Sequence, residues 1–173
     1  MRRLMLLRHA KTERAGPGER DRDRELTKRG RTDAPAIATY MAHNDLVPDL
    51  VLVSPARRTQ QTWDLVSAVF DKAPRRSNED RIYIAGADDL MTLIGETRGT
   101  PALLVIGHNP GLHDLSLQLI ASGDAKMRTR LLDNLPTSGL AVIDLPFDNW
   151  SQLRPQCGRL VHFMTPRLIG ETL

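Results

Sequence analysis

The sequence predicts an α/β fold, a three-layer α/β/α sandwich on a mostly parallel central sheet. Two observations predict it: short apolar runs that suit buried strands recur along the chain, and segments with helical periodicity separate them. A third observation is that three of the apolar runs end directly at polar or charged clusters. Because folds of this class bind ligands at the carboxyl ends of their strands, we expect the chemistry of the protein at these clusters.

The apolar runs define the predicted strands. Most are rich in leucine, isoleucine and valine, which is typical of strands that are buried on both faces. They cover residues 3–7, 49–53, 102–106, 139–145 and 159–164.

Four helices are predicted between these strands. Thr27 is the candidate N-cap of the first helix, which covers residues 31–43 and contains Pro35, a residue that disfavours regular first turns. The other three helices place their large apolar side chains on one face. They cover residues 57–70, 88–97 and 111–120.

Composition indicates one globular domain over residues 1–173, with 40% apolar and 26% charged residues. The N-terminal apolar run is too short for a signal peptide or a membrane span, so we expect a cytoplasmic protein without membrane contact. A single cysteine, Cys157, fits a reducing compartment. Aromatic residues make up only 4% of the chain, which argues against nucleic-acid binding. The net charge of +3 is unevenly placed, and the many arginines and lysines of residues 1–31 favour an anionic ligand.

Three polar clusters follow three of the predicted strands. They are Arg8-His9, Ser54-Pro55-Ala56-Arg57-Arg58 and Gly107-His108-Asn109-Pro110. Guanidinium groups pair with phosphate oxygens two at a time and neutralise the charge of a phosphoryl transition state. A neutral imidazole can attack phosphorus and form a covalent intermediate that water then hydrolyses. Histidines and arginines that meet at one edge of the sheet therefore predict phosphoryl transfer.

Four motifs occur in an order that resembles the histidine phosphatase superfamily. They are Leu-Leu-Arg-His-Ala-Lys-Thr at 6–12, Leu-Thr-Lys-Arg-Gly at 26–30, Ser-Pro-Ala-Arg-Arg-Thr-Gln-Gln-Thr at 54–62 and Val-Ile-Gly-His-Asn-Pro-Gly at 105–111. The likeness extends from the first strand to about Asp144 and is greatest to the short, SixA-like phosphohistidine phosphatases. This resemblance implies a phosphoglycerate mutase-like fold and a phosphatase that works through a phosphohistidine intermediate. No cofactor and no metal are expected.

The resemblance also implies roles for individual residues. His9 corresponds to the nucleophile, Arg8 to its phosphate-binding neighbour and His108 to the second histidine of the pocket. In the family pattern Ser-Pro-x-x-Arg the functional arginine falls on Arg58, and Arg57 is expected to face solvent. Further substrate-binding candidates lie on the same loops, namely Lys11, Thr12 and Asn109. For Lys11, a solvated loop position is an equal alternative.

The sequence departs from larger members of the family at the position of an acid. Those members carry a glutamate in a Leu-x-Glu context, whereas the corresponding residues here are Ile82-Tyr83-Ile84. The proton donor is therefore unassigned. The nearest carboxylates, each expected to be an exposed charge, are Asp80, Glu79, Asp21 and Asp23. A site without a placed acid suits phosphohistidine, because an imidazole leaves phosphorus more easily than an alkoxide does.

We therefore expect the substrate to be a phosphorylated protein that carries phosphohistidine. About fifty residues separate Arg58 from His108, too few for the covering segments of larger relatives, so the crevice should be open to a protein side chain. Two alternatives stay open. One is a phosphomonoesterase for small phosphorylated molecules, and the other is a non-catalytic module that binds phosphate or phosphohistidine.

Overall fold

The fold is built on one seven-stranded sheet. The computed structural model describes residues 1–172. In chain order the strands are β1 (Arg2–Arg8), β2 (Leu50–Val53), β3 (Arg75–Asn78), β4 (Ala102–Gly107), β5 (Ile120–Gly123), β6 (Leu140–Leu145) and β7 (Gly158–Met164). Their order across the sheet is β3-β2-β4-β1-β6-β7-β5.

Among the described strands, β6 alone runs against the others. β1 pairs in parallel with β4, β2 pairs in parallel with both β3 and β4, and β5 pairs in parallel with β7. β6 lies antiparallel between β1 and β7. The predicted mostly parallel sheet is confirmed. The reversed strand also brings the segment that precedes β6 to the edge at which β1, β2 and β4 end.

Helices cover both faces of the sheet. They are α1 (Lys28–His43), α2 (Arg57–Ser67), α3 (Ala87–Gly95), α4 (Gly111–Leu119), α5 (Ala125–Asp133) and α6 (Pro166–Glu171). The side chains of β1 alternate between two cores. Leu4 and Leu6 pack with α3, α4 and α5, whereas Met5 and Leu7 pack with α1 and α2. The three-layer sandwich is confirmed, and burial on both faces explains why the sequences of the central strands β2 and β4 contain no polar side chain.

Helix α1 begins earlier than predicted. Thr27 is its N-cap, since the side-chain hydroxyl accepts a hydrogen bond of 3.0 Å from the Gly30 amide, but the helix starts at Lys28 and not at residue 31. Pro35 lies inside the helix. The helix is retained there because its buried face, which includes Ile37 and Met41, packs against the sheet.

Several elements differ from the sequence prediction. The edge strand β3 is polar and exposed along its whole length, so it has no apolar pattern to reveal it. β5, α5 and α6 were also not predicted, and the predicted helix over 111–120 ends at Leu119, where β5 begins. Helix α2 ends at Ser67 and does not extend to residue 70.

Within residues 1–172, none of the helices has the length and apolarity that a crossing of the bilayer requires.

Candidate active site

The site lies where three neighbouring parallel strands end. Arg8 is the last residue of β1, Ser54 directly follows β2, and His108 directly follows β4. These strands are adjacent in the sheet, so their terminal residues meet at one edge. From the opposite direction, the amide of Ser138, just before β6, donates hydrogen bonds of 3.1 Å to the carbonyls of Arg8 and His9. Four loops therefore converge on one place.

The loops enclose a cleft of about 750 Å³. It holds all seven residues that the sequence predicted for the site, together with parts of the loop after β1 and of the segment before β6. Its lining residues are Arg8, His9, Lys11, Thr12, Glu13, Arg14, Arg24, Thr27, Arg58, His108, Asn109 and Thr137.

His9 is a buried, neutral imidazole. Only 6% of the residue is exposed, and its Nδ1 lies 2.8 Å from the carbonyl oxygen of Ala10. Since a carbonyl can only accept, Nδ1 carries the ring hydrogen and Nε2 keeps its lone pair. Burial lowers the pKa of His9 from 6.5 to about 3, and the positive charges of Arg58 and Arg8 act in the same direction. At neutral pH the ring has an unprotonated nitrogen that can act as a nucleophile.

His108 faces His9, with 5.4 Å between the ring centroids. Its Nε2 lies 2.7 Å from the Ser54 hydroxyl oxygen, which itself accepts a longer hydrogen bond of 3.4 Å from the Ala56 amide. The Ser54 hydroxyl accepts from the amide and donates its own hydrogen to Nε2 of His108. Nε2 is then the acceptor, so we assign the ring hydrogen of His108 to Nδ1. Burial, followed by the charge of Arg58, lowers the pKa of His108 to about 4. His108 is therefore a neutral hydrogen-bond donor.

Arg58 is held in place by the loop that contains Asp21. Its guanidinium donates to the backbone carbonyl of Asp21 at 2.9 Å and to the carboxylate of the same residue at 3.1 Å. Only 6% of Arg58 is exposed. Arg57, one residue earlier, points outward and pairs with Glu25 at 2.6 Å. The helical turn of α2 therefore places only the second of the two arginines in the cleft.

Arg8 lines the same cleft, and one of its Nη atoms donates to the carbonyl of Leu135 at 3.3 Å. Burial, and to a smaller degree the charge of Arg58, lowers the pKa of Arg8 below its ordinary value. Two guanidinium groups that destabilise each other in this way form a site that favours an anion.

Four buried polar atoms of cleft residues have no hydrogen-bond partner within the described protein. They are Nε of Arg8, Nε of Arg58, Nδ1 of His108 and Oδ1 of Asn109. Buried polar atoms in folded proteins are nearly always satisfied. Three of these four atoms are donors, and their residues line one cleft together with His9, so an anion with several oxygens bound there would satisfy them.

Asp21 has contacts that the sequence did not predict. The residue is exposed, as expected, and its carboxylate accepts hydrogen bonds from Tyr83, Arg24 and Arg58. These contacts form because a short 3-10 helix, Asp21–Asp23, packs against α2. The hydrogen bond from Tyr83, together with Arg58, lowers the pKa of Asp21 below its ordinary 3.8. Asp21 is an ionised residue that positions Arg58 and has no proton to donate at neutral pH.

Like Asp21, the other three acid candidates are not among the residues that line the cleft. Asp23 pairs with Arg20, Glu79 pairs with Arg81, and Asp80 is exposed. Within residues 1–172, Glu13 is the one carboxylate among the lining residues.

The three secondary candidates differ in surroundings. Lys11 is exposed at the cleft, and the hydroxyl of Thr12 accepts a hydrogen bond of 3.2 Å from Arg24. The side-chain amide of Asn109 donates to the Leu135 carbonyl at 2.8 Å, so it fixes the segment that also contacts Arg8.

Sequence reasoning missed Ser54, Tyr83 and Arg24 as contributors. Ser54 begins the Ser-Pro-Ala-Arg-Arg motif, but its hydrogen bond to His108 joins two loops that are distant in sequence, so the motif does not reveal it. Tyr83 stands in the stretch that lacks the glutamate of larger relatives, and its ring lies edge-on to His108 at 5.6 Å. The presence of an aromatic residue where larger relatives have an acid was the sequence signal that could have identified Tyr83. For metals, the side chains of residues 1–172 form no group of three or more His, Cys, Asp or Glu that could hold an ion.

Comparison with known proteins places this site in a family. The family model of the histidine phosphatase superfamily (branch 1) matches residues 4–80. An uncharacterized protein of Mycobacterium tuberculosis is 36% identical over 165 residues, which cover 93% of this chain and 100% of that protein. A crystal structure from Agrobacterium tumefaciens, described as a candidate phosphohistidine phosphatase SixA, is 33% identical with a TM-score of 0.82 and covers 95% of this chain and 98% of its own. The protein histidine phosphatase SixA in a complex with tungstate shares the fold, with a TM-score of 0.71, 22% identity and coverage of 96% and 99%.

The fold and the site thus define a phosphatase with a histidine-centred cleft. The chain belongs to the histidine phosphatase superfamily and is a SixA-like member of it. The predicted phosphoglycerate mutase-like α/β fold and the assignment as a phosphatase enzyme are confirmed.

Proposed function

We propose that this phosphatase removes phosphate from phosphohistidine in proteins through a transient phosphohistidine on its own His9. The observation that supports the proposal is that Arg8, Arg58 and His108, each with a buried donor atom that has no partner, line the same cleft as His9 with its unprotonated nitrogen. These donors can hold the three equatorial oxygens of a phosphoryl group during in-line transfer.

The reaction has two steps. First, Nε2 of His9 attacks phosphorus, the P–N bond to the substrate imidazole breaks, and the leaving imidazole takes a proton from solvent. Second, a water molecule attacks the phosphoryl group on His9, the new P–N bond breaks, and inorganic phosphate and neutral His9 are released. Arg8, Arg58 and His108 stay fixed in both steps and stabilise the negative charge of the oxygens.

The lack of an acid supports a nitrogen leaving group. Among the described residues, Glu13 is the one carboxylate in the lining, and it is exposed. Asp21 is bonded to Arg58 and kept ionised. An alkoxide would need a proton from a placed acid, whereas an imidazole can be protonated by water. The cleft therefore suits P–N bonds better than the P–O bonds of alkyl phosphates.

Access to the cleft supports a protein substrate. Within the described chain, none of residues 59–107 lines the cleft, although Tyr83 of that segment packs against His108. A phosphorylated side chain on the surface of another protein can enter such an open cleft. We assign Lys11, Thr12 and Asn109 to its walls, with Asn109 positioning the loop beside Arg8.

The test is a comparison of rates for the purified enzyme. The substrates are a histidine-phosphorylated phosphotransfer domain, a panel of alkyl phosphates and sugar phosphates, and an aryl phosphate. We expect kcat/KM on the phosphohistidine protein to exceed that on alkyl phosphates by at least about a hundredfold, since the missing acid contributes on the order of 10²–10⁴ in rate for poor leaving groups. Faster hydrolysis of a sugar phosphate would favour a small-molecule phosphatase and refute the proposal, and binding without turnover of any substrate would also refute it.

A further inference from the structure

The outer part of the cleft carries more positive charge than the transfer of one phosphoryl group requires. Beyond Arg8 and Arg58, the lining includes Lys11, Arg14 and Arg24. The cleft volume of about 750 Å³ also has room for a group much larger than phosphate. The loop after β1 therefore forms a second, outer basic region, which we call the outer subsite and define by Lys11 and Arg14.

The charges of the outer subsite are not neutralised by neighbouring acids. Most arginines around it have carboxylate partners: Arg20 pairs with Asp23, Arg24 with Asp21 and Arg57 with Glu25. In residues 1–172, Lys11 and Arg14 form no salt bridge, although Glu13 lies between them in sequence. Two cations at the mouth of the cleft are therefore free to pair with an anion of the substrate.

The backbone beneath the outer subsite is fixed. The amide of Thr27 donates to the Lys11 carbonyl at 2.9 Å, and the amide of Glu13 donates to the Glu25 carbonyl at 2.9 Å. A Cβ atom on Gly30 would lie 2.3 Å from the Lys11 oxygen, so this glycine permits the close approach of α1. The Leu-Thr-Lys-Arg-Gly motif thus holds the segment that carries Lys11.

Arg24 fixes the same segment from its other side. Its guanidinium donates to the Thr12 hydroxyl and to the Glu13 carbonyl, each at 3.2 Å. The Nε of Arg24 also donates to Asp21 at 3.0 Å. Arg24 therefore holds the loop in place, and Lys11 and Arg14 are the side chains that we assign to ligand binding. A preorganised segment loses less entropy when its side chains bind a ligand.

We propose that the outer subsite binds a second anionic group of the substrate, the carboxylate of an aspartate or glutamate that lies near the phosphohistidine on the partner protein. The inference rests on the proposed function, because it names the phosphohistidine proteins that the cleft prefers. The inner arginines offset the charge of the phosphoryl group, and Lys11 with Arg14 offset the charge of the neighbouring carboxylate.

The first experiment measures a ratio of kcat/KM values. Two phosphohistidine peptides are compared, identical except that glutamates flank the phosphohistidine in one and glutamines in the other. For the unmodified enzyme we expect a preference for the glutamate peptide on the order of three- to tenfold at low salt, which decreases as salt is added. The double variant Lys11→Gln/Arg14→Gln should bring the ratio to about one, whereas Arg20→Gln, whose partner is Asp23, should leave it unchanged. An unmodified enzyme without preference, or a double variant that keeps it, would overturn the inference.

A second experiment separates this inference from the proposed function. Hydrolysis of an aryl phosphate is inhibited with phosphonoacetate, which has a phosphonate and a carboxylate, and with ethylphosphonate, which has the phosphonate alone. We expect tighter inhibition by phosphonoacetate and loss of that difference in the double variant. If neither peptide is hydrolysed but this difference is present, the phosphohistidine function fails and the outer subsite stands. Equal inhibition by both compounds refutes the subsite.

Discussion

At the scale of single residues, the structure separates two adjacent arginines, one inside the cleft and one in solvent, as the family pattern implies. Arg58 is buried in the cleft and held by Asp21, whereas Arg57 is more than half exposed and paired with Glu25. This difference follows from the start of α2, because successive residues of a helix point in different directions.

The two arginines should therefore respond differently to truncation. Arg58→Ala should lower kcat/KM by about 10²–10³, because a preorganised donor to the phosphoryl oxygens is lost. Arg57→Ala should change it by less than about threefold, as is usual for an exposed ion pair. Steady-state kinetics on the phosphohistidine protein measures both. If Arg57→Ala is the damaging change, the assignment within the motif is off by one residue.

A second prediction concerns Ser54, which positions His108 and does not line the cleft. Ser54→Ala removes the partner of His108 Nε2, so we expect kcat to fall about fivefold or more, the effect of about 1 kcal/mol. The ring should also no longer prefer the tautomer with hydrogen on Nδ1, which nitrogen NMR shifts of His108 can report.

Exposed Ser151→Ala is the control for Ser54 and should alter neither quantity. A Ser54→Ala enzyme that is slower but keeps the His108 tautomer of the unmodified protein would contradict the role given to the serine.

Motif order predicted which residues meet in the cleft, while the roles of His9, Arg8, Arg58 and His108 stay proposals. What the sequence could not predict are the contacts that join separate loops. Asp21 reaches Arg58 and Tyr83 only after the 3-10 helix packs on α2, and no spacing in the chain encodes this meeting.

At the scale of elements, the helix that begins at Lys28 supports the cleft through a close backbone approach. Gly30 is buried in α1, and an added Cβ would lie 2.3 Å from the Lys11 carbonyl oxygen. A Cβ atom this close to a backbone oxygen can be accommodated only if the loop or the helix moves.

Gly30→Ala should therefore destabilise the protein by about 1–3 kcal/mol and raise KM, because Lys11 is displaced. Gly170→Ala is the matched control, as the added Cβ in α6 meets no atom within 4 Å. That variant should be neutral or up to about 1 kcal/mol more stable, since alanine favours helix more than glycine does. Denaturant unfolding measures both. A Gly30→Ala protein as stable as the unmodified one would contradict the close approach.

Elements with strong apolar patterns were predictable, and those without were not. β1, β2, β4, β6 and β7 were found because each lies in the hydrophobic interior of the sandwich. β3 was missed because its four residues are polar and exposed; it pairs with β2, and Arg76 and Asn78 bond to side chains of α2. The position of β3 is set by backbone pairing with the neighbouring strand β2, and not by an apolar pattern in its own sequence.

At the scale of the whole molecule, burial of the two neutral histidines links folding to pH. The pKa of His9 falls to about 3 and that of His108 to about 4, from an ordinary value of 6.5. Burial also lowers the pKa of His162. Since the unfolded chain binds protons first as the pH falls, the stabilisation is complete above pH 6.5 and is lost as the pH falls toward the folded-state values.

We therefore expect the free energy of unfolding to decrease between pH 6.5 and 4.5, by up to about 1.4 kcal/mol per pH unit for each histidine. The variant His9→Gln removes one titrating group, so its decrease should be shallower. Denaturant unfolding at several pH values tests this. Equal slopes for the two proteins would show that His9 is not kept neutral by burial.

The central claim is that the phosphoryl group passes through His9, and trapping it there is the most direct test. The enzyme is mixed with a phosphohistidine protein, quenched within milliseconds under alkaline conditions that preserve phosphohistidine, digested and analysed by mass spectrometry. The account predicts phosphate on the His9 peptide of the unmodified enzyme and neither phosphate nor turnover in the His9→Ala variant. Rapid turnover with phosphate on another residue, or turnover that survives in His9→Ala, would contradict it.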